Sequence, residues 1–275
     1  MDETEGIFEL DFVSDSFDLF AKEIFTLLQH KEHIEDFDDN ITNSCLIGPP
    51  GAHSRENIFG NISRLVEKQQ SGKDGDYRLG LPKMSFEEML NAAVKICGNN
   101  SDPNYTKGED FVSLEAFKTN LQKAVSAAAK TAKRNGTIFI SSGHTESLLA
   151  TYALMAKSLV KKGARLFSPT AQILPSKERD GVWLSSFCCV STATVDNRII
   201  HTHEDFGLDE IIENEGVRPD LAIADHGFAG AMIRAKIPTI AIVDTNDIEL
   251  LMACTAYPDR VFPIPIHDNA GLKRS

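Results

Sequence analysis

The 275-residue chain contains no run of 18 apolar residues, which excludes a membrane-spanning helix on sequence grounds. It has no basic excess either. Lys and Arg number 28 against 40 Asp and Glu, a formal net charge of −12. So acidic a surface repels phosphate backbones and anionic headgroups, so neither nucleic acid nor membrane is expected as a partner. Metal-binding or redox C-x-x-C pairs are also missing. The five cysteines are odd in number, and Cys188 and Cys189 are adjacent. Neighbours on a strand point to opposite faces, so this pair is a poor disulfide; the five read as small buried hydrophobes in a reducing compartment. No internal repeat or low-complexity tract is found, which excludes solenoids and disordered chains. Met1-Asp-Glu-Thr-Glu5 is acidic where a secretory leader starts basic, so a cytoplasmic location is expected. What remains, 42% apolar and 25% charged residues, is the composition of a globular protein.

The first 135 residues read as mostly helical, a lid or cap. Phe12, Phe17, Phe20, Ile24, Phe25 and Leu28 recur at near-helical spacing. Ser85-Phe-Glu-Glu88 is a capping box ahead of the stripe Phe86, Met89, Leu90, Ala93, Val94 and Cys97, with Gly98 as the stop. Ser113 opens a further helix carrying Leu114, Phe117, Leu121, Ala124, Val125 and Ala128 on one face. The polar stretches 48–51, 69–77 and 98–110 are expected to be loops.

From residue 136 to 275 strands and helices alternate. Strands are expected at 137–141, 164–167, 221–224, 239–243 and 261–266. Helices fit at 145–161, 208–215, 229–235 and 248–254. Residues 182–190 and 193–203 suit a hairpin turning at Asp196-Asn197. The pattern predicts an α/β fold: a doubly wound, mostly parallel sheet with helices on both faces, Rossmann-like, plus the helical N-terminal part.

Such sheets bind ligands beyond the carboxyl ends of their strands. Four strand ends deliver chemistry there: Ser141-Ser-Gly-His-Thr145, Asp225-His-Gly-Phe-Ala-Gly230, Asp244-Thr-Asn-Asp247 and His267-Asp-Asn269. Ser141, Ser142, Gly143 and Thr145 form a hydroxyl-rich turn at a helix start, suited to a phosphate or equally to capping. Asp225 could be a metal ligand, a nucleophile, a base or a cap. His226 or His144 could protonate a leaving group. His201-Thr-His203, if extended, puts two imidazoles on one face, a set that suits a transition metal. Asp244, Asn246 and Asp247, like Asp268 and Asn269, suit Mg²⁺, sugar hydroxyls or plain Asx turns.

Charge narrows these options. A phosphate among Asp225, Asp244, Asp247 and Asp268 is repelled, by about 4 kcal/mol per pair at 4 Å and an effective dielectric near 20. Either a divalent cation (Mg²⁺ or a transition metal, held by Asp225, Asp244, His201 and His203) intervenes, or the carboxylates face hydroxyls. Arg55 and Arg78 could neutralise the phosphate if their segments, 53–57 and 76–81, fold over the sheet edge as a lid.

The set Ser54-Arg-Glu-Asn57, Tyr77–Leu81, Ser142-Gly-His-Thr145, His201-Thr-His203, Asp225-His-Gly-Phe-Ala-Gly230, Asp244-Thr-Asn-Asp247 and Asp268-Asn269 resembles a bacterial family known simply as phosphatases, over about residues 54–270. The resemblance implies phosphomonoester hydrolysis. Family members often carry Gly-His-Pro where this chain has Gly143-His144-Thr145. The stretch Ile140–Thr145 is similar to the phosphosugar-binding turn of sugar isomerases, Ser-x-Ser-Gly-x-Thr, with Ile140 replacing the first serine. Ile237–Asn246 looks like a strand of a bacterial small-subunit ribosomal protein and supports only the strand assignment. The reading is a phosphatase acting on a small phosphorylated metabolite with a divalent metal ion. The alternative is a phosphosugar-binding or isomerase-type protein without hydrolytic activity. A homo-oligomer is compatible with either.

Overall fold

The computed structural model describes residues 47–48 and 53–267. The expected helix at 12–28, Cys45, Asp268 and Asn269 lie outside the described residues. Three helices come first: α1 (Arg55–Gln70), α2 (Phe86–Cys97) and α3 (Leu114–Lys133). Residues 53–57, expected to be a loop, begin α1. Ser54 Oγ accepts the Asn57 N–H at 3.3 Å, and Ile58, Ile62 and Leu65 form its buried stripe. The Ser85 capping box of α2 is present on both sides, and Ser113 caps α3.

A five-stranded sheet follows, made of β1 (Thr137–Ile140), β2 (Arg165–Phe167), β7 (Leu221–Asp225), β8 (Thr239–Val243) and β9 (Val261–Pro265). Its order is β2-β1-β7-β8-β9, and every pairing is parallel. Helix α4 (Thr145–Lys161) crosses from β1 to β2, while α6 (His226–Arg234) and α7 (Ile248–Ala256) cross β7 to β8 and β8 to β9. Helices α3 and α4 cover one face, where Leu121, Ala124, Met155 and Leu159 meet Ile223, Ile240 and Ile264. Helices α6 and α7 pack on β7, β8 and β9 from the other face, and one apolar core runs from Ile47 to Ile266. The doubly wound parallel sheet is therefore as expected.

The chain leaves β1 toward β2 on one side and later returns to β7 on the other. The loops after β1 and β7 therefore diverge and leave a crevice between them, the switch point where open α/β sheets bind ligands.

Between β2 and β7 a second, antiparallel sheet is inserted: β3 (Gln172–Ile173), β4 (Trp183–Phe187), β5 (Val190–Val195) and β6 (Arg198–Ile199), followed by α5 (Leu208–Asn214). The sequence suggested one hairpin turning at Asp196-Asn197. The structure has two. That turn joins β5 to β6, and Cys188-Cys189 joins β4 to β5. Both cysteines adopt positive φ, 49° and 66°, as a two-residue turn between twisted strands demands. They are exposed, which corrects their reading as buried; Cys97 and Cys254 are buried as expected. Among the described residues no helix is long and apolar enough to cross a membrane.

Candidate functional site

The crevice is built around one carboxylate. Asp225 ends β7, and rather than capping α6 it reaches across to the turn after β1. Oδ1 accepts the backbone N–H groups of Gly143 (2.6 Å) and His144 (3.2 Å); Oδ2 accepts the hydroxyls of Ser142 (2.7 Å) and Tyr152 (2.9 Å). Four donors leave this buried carboxylate little capacity for anything else. Asp225 thus pins the ends of β1 and β7 together.

Residues 200–205 thread through the gap. Thr202 N–H donates to the Gly143 carbonyl at 3.0 Å. A Cβ on Gly143 would sit 2.3 Å from the Thr202 oxygen, and one on Gly227 2.4 Å from the His203 and Glu204 backbone. Both motif glycines are therefore needed for the His-Thr-His segment to pass between them. The segment is not a strand, yet both of its imidazoles point the same way, with His201 and His203 Nε2 atoms 3.0 Å apart.

Four imidazoles gather here from three loops. Ring centroids are 4.3 Å apart for His144 and His201, 4.2 Å for His203 and His226, and 5.5 Å for His144 and His226. His226 opens α6 at φ 43°, a costly conformation for a non-glycine residue of the kind that recurs at functional sites. Its Nδ1 lies 3.5 Å from Asp247 Oδ1. Nitrogens of His144, His201 and His226 all lie within 4.8 Å of one another. Three ligands on a tetrahedral ion stand about 3.4 Å apart at a bond length near 2.1 Å, so modest ring rotations close the set. Burial first, then the neighbouring imidazoles, push His203 down to about 4, so at neutral pH its ring is uncharged.

A second cluster lies beyond Asp247, whose Oδ2 accepts the Asp244 N–H at 2.9 Å. The buried Asp244 carboxylate faces His53 Nε2 and His267 Nδ1, each at 3.6 Å. His53 Nδ1 is 3.4 Å from the Asn246 amide nitrogen. A polar cleft of about 630 Å³ is bordered by His203 and Asp247 of the first cluster and by Asn246, Asn57 and Asn61.

A family model described as Phosphatase matches residues 35–271. The chain belongs to that Phosphatase family. It is also similar to a protein named as a phosphatase from Streptomyces coelicolor, 25% identical over 208 residues that cover 74% of this chain and 77% of the relative. The matched span contains every element described here.

His144, His201, His203, His226 and Asp247 come together, and Asn246 borders the same cleft. Ser142 and Gly143 are beside them, but their donors serve Asp225. The Ser141 hydroxyl is buried where β1 meets β5, without a hydrogen-bond partner among the described residues. Thr145 Oγ1 is 3.5 Å from the Ile200 carbonyl. Asp244 sits with His53 and His267 rather than with the His201-His203 pair. Arg55 stands apart: its fully buried guanidinium pairs with Asp110 at 3.1 Å and donates to the Tyr105 carbonyl at 2.9 Å. Arg78 turns to Asp205 at 2.8 Å.

Residues 76–81 do lie against the sheet's helices, held by Glu249. Its carboxylate accepts the N–H groups of Tyr77 (2.7 Å) and Leu79 (3.2 Å), while Arg234 donates to the Tyr77 carbonyl at 2.6 Å. Burial raises the Glu249 carboxyl despite those two N–H donors. Tyr152 and His53 carry no functional signal in the sequence, while His267 belongs to one of the four strand ends expected at the site. Tyr152 is buried among the apolar residues of α4, which conceals its hydroxyl's role, and His53 immediately precedes the N-cap of α1.

Proposed function

We propose that the protein is a phosphomonoester hydrolase acting on a small phosphorylated metabolite at the switch-point crevice, with a divalent metal ion as cofactor. The single observation that carries this reading is the convergence of His144, His201, His203 and His226 on one another beside a polar cleft that His203 borders, in a chain of the Phosphatase family. An all-imidazole donor set suits zinc, copper, iron or nickel better than Mg²⁺, which prefers carboxylate and water oxygens. His144, His201 and His226 would hold the ion, which when bound supplies polarisation of the phosphoryl oxygens and a more acidic water.

The chain's own residues do the rest. Asp225 fixes the turn carrying His144. Asp247 orients the ring of His226 from its Nδ1 side, as carboxylates commonly do behind ligand histidines. In the reaction a water oxygen bonds to phosphorus, the ester P–O bond breaks, and a proton passes to the departing oxygen. His203, which borders both the imidazole cluster and the cleft and is uncharged at neutral pH, is the side chain placed to take that proton from the attacking water and hand it on.

The isomerase-type alternative is less well supported. Its phosphate-gripping turn needs open donors, and here the N–H groups of Gly143 and His144 are directed at Asp225. The test is metal analysis of the purified chain joined to phosphate release from p-nitrophenyl phosphate before and after exhaustive chelation. Stoichiometric transition metal, lost on chelation and in a His201→Ala/His226→Ala variant together with turnover, is the expected result. Full turnover after chelation would overturn the metal assignment, and no phosphate release from any ester would overturn the hydrolase.

A further inference from the structure

The cleft beside the imidazoles has a lining that selects a class of substrate. Asn57 and Asn61 lie one turn apart on α1, and Asn246 faces them from the turn between β8 and α7. The Asn61 amide nitrogen points to the Asn57 side-chain oxygen and the Asn246 carbonyl, at 3.4 Å each. That leaves the Asn57 amide N–H groups and the side-chain oxygens of Asn61 and Asn246 without a partner among the described residues. A row of carboxamides presents alternating donors and acceptors, which is what adjacent hydroxyl groups pair with. The row begins at Asp247 and therefore adjoins the ring of His226.

Charge and shape exclude other substrates. Six carboxylates border the cleft; Asp76 pairs with Arg64 and Lys68, Asp205 with Arg78 and Arg234, and Glu178 with Arg179, which leaves Glu204, Asp247 and Glu249 to face one further bordering cation, Lys177. A single phosphate directed at the imidazole cluster can be accepted there. A di- or triphosphate chain lying along the cleft would be repelled by its walls. Tyr77 is the one Phe, Tyr or Trp in the described lining, and it is only 7% exposed, so no aromatic face is offered for a nucleobase to stack on. The apolar lining is confined to Leu65 and Ile248, too little for a lipid chain.

Resting on the hydrolase reading above, we propose that the substrate is a monophosphate ester of a polyhydroxylated compound, a sugar or polyol phosphate. Its hydroxyls pair with Asn57, Asn61 and Asn246 while its phosphate reaches the imidazoles.

The experiment uses the full chain with its metal and two readouts. Phosphate release is measured with p-nitrophenyl phosphate, aldose, ketose and polyol monophosphates, nucleoside mono-, di- and triphosphates, and a simple alkyl phosphate. Binding of the same esters is measured by calorimetry. Expected is a kcat/KM for at least one sugar or polyol phosphate about 100-fold above nucleotides and the alkyl ester, three neutral hydrogen bonds of about 1 kcal/mol each. Asn61→Ala should lower the ratio of kcat/KM for that ester to that for p-nitrophenyl phosphate by about fivefold, chiefly through KM. Phosphate release with nucleotides preferred, or with no preference for hydroxylated esters, overturns the substrate class and leaves the hydrolase standing. Tight binding of a sugar phosphate without release supports the class and overturns the hydrolase. Neither binding nor release of sugar or polyol phosphates overturns the inference.

Discussion

Replacing Asp225 by Asn tests whether this residue acts on substrate or holds the crevice together. The carboxylate accepts two N–H and two O–H donors and is buried. Asparagine fits the same space. Its single oxygen can still serve Gly143 and His144, but its NH₂ then meets the Ser142 and Tyr152 hydroxyls, which must turn round to accept. All four bonds lose their charge assistance. A hydrogen bond to a charged group contributes about 1.5–3 kcal/mol, a neutral one about 1 kcal/mol. Two to four bonds downgraded by about 1 kcal/mol give a loss of about 2–4 kcal/mol. With a urea slope of about 2–3 kcal/mol/M, the unfolding midpoint should fall by about 1 M with the slope unchanged. Tyr152→Phe and Ser142→Ala each remove a donor to the charged carboxylate, so each should cost about 1.5–3 kcal/mol and should be non-additive with Asp225→Asn, because they act on the same group. Turnover should fall as well, since the turn carries His144. The reasoning is refuted if Asp225→Asn unfolds at the wild-type midpoint while phosphate release vanishes. That outcome would make the carboxylate itself a participant in the reaction.

Arg55→Met should cost about 3–5 kcal/mol in chemical denaturation, because it strands the buried Asp110 carboxylate with only Asn99 and the Phe111 N–H; a shift confined to KM would instead place Arg55 on substrate. The Glu249 carboxyl is raised in the folded protein, so folding binds its proton more tightly than the unfolded chain does. The stability this contributes is complete below the unfolded value of 4.5 and is lost as pH rises through the raised folded value; Glu249→Gln should flatten the urea midpoint across that window. A thiol reagent on the native protein should modify Cys188 and Cys189 quickly and leave Cys97 and Cys254, which burial pushes up, unreacted until denaturant is added; peptide mapping reads both phases.

What the sequence made legible was local. Ser85 and Glu88 lie three residues apart, so their reciprocal bonds follow from spacing alone, and the 3.6-residue stripes of α2 and α3 name their own buried faces. Strand ends were equally readable, because apolar runs stop where Ser, His and Asp begin. What stayed hidden depends on pairing across the chain. Nothing near Asp225 announces that its partners are 73 to 83 residues away on β1's turn and α4; that follows only once β1 and β7 are neighbours. Arg55 and Asp110 are a similar case, two charges 55 residues apart that neutralise each other inside the fold. The turn at Cys188-Cys189 was hidden for another reason: cysteine is not a residue that favours positive φ, so the turn is imposed by the register of β4 and β5 rather than by its own residues. The start of α1, in contrast, was readable and missed. Ser54 followed by Ile58, Ile62 and Leu65 is an N-cap ahead of an apolar stripe.

The difficulty posed by strand-end carboxylates facing a phosphate is resolved by what each of the described ones contacts. Asp225 is enclosed by four donors. Asp244 lies between His53 and His267 and also accepts the Thr245 hydroxyl at 3.2 Å. Asp247 stands behind His226 and takes the Asp244 N–H. In each case the negative charge is met by a hydrogen-bond donor or an imidazole, so what the β1 and β7 loops present at the crevice is nitrogen rather than carboxylate oxygen. The carboxylates make the crevice acceptable to an anion indirectly, by fixing the backbone and rings that face it. This arrangement ties function to fold more closely than a set of acidic ligands would. A change at Asp225 or Asp247 should reach the reaction through the position of His144 or His226, whereas a change at His201 or His226 should, on the proposed metal-dependent reading, reach it through loss of the bound ion.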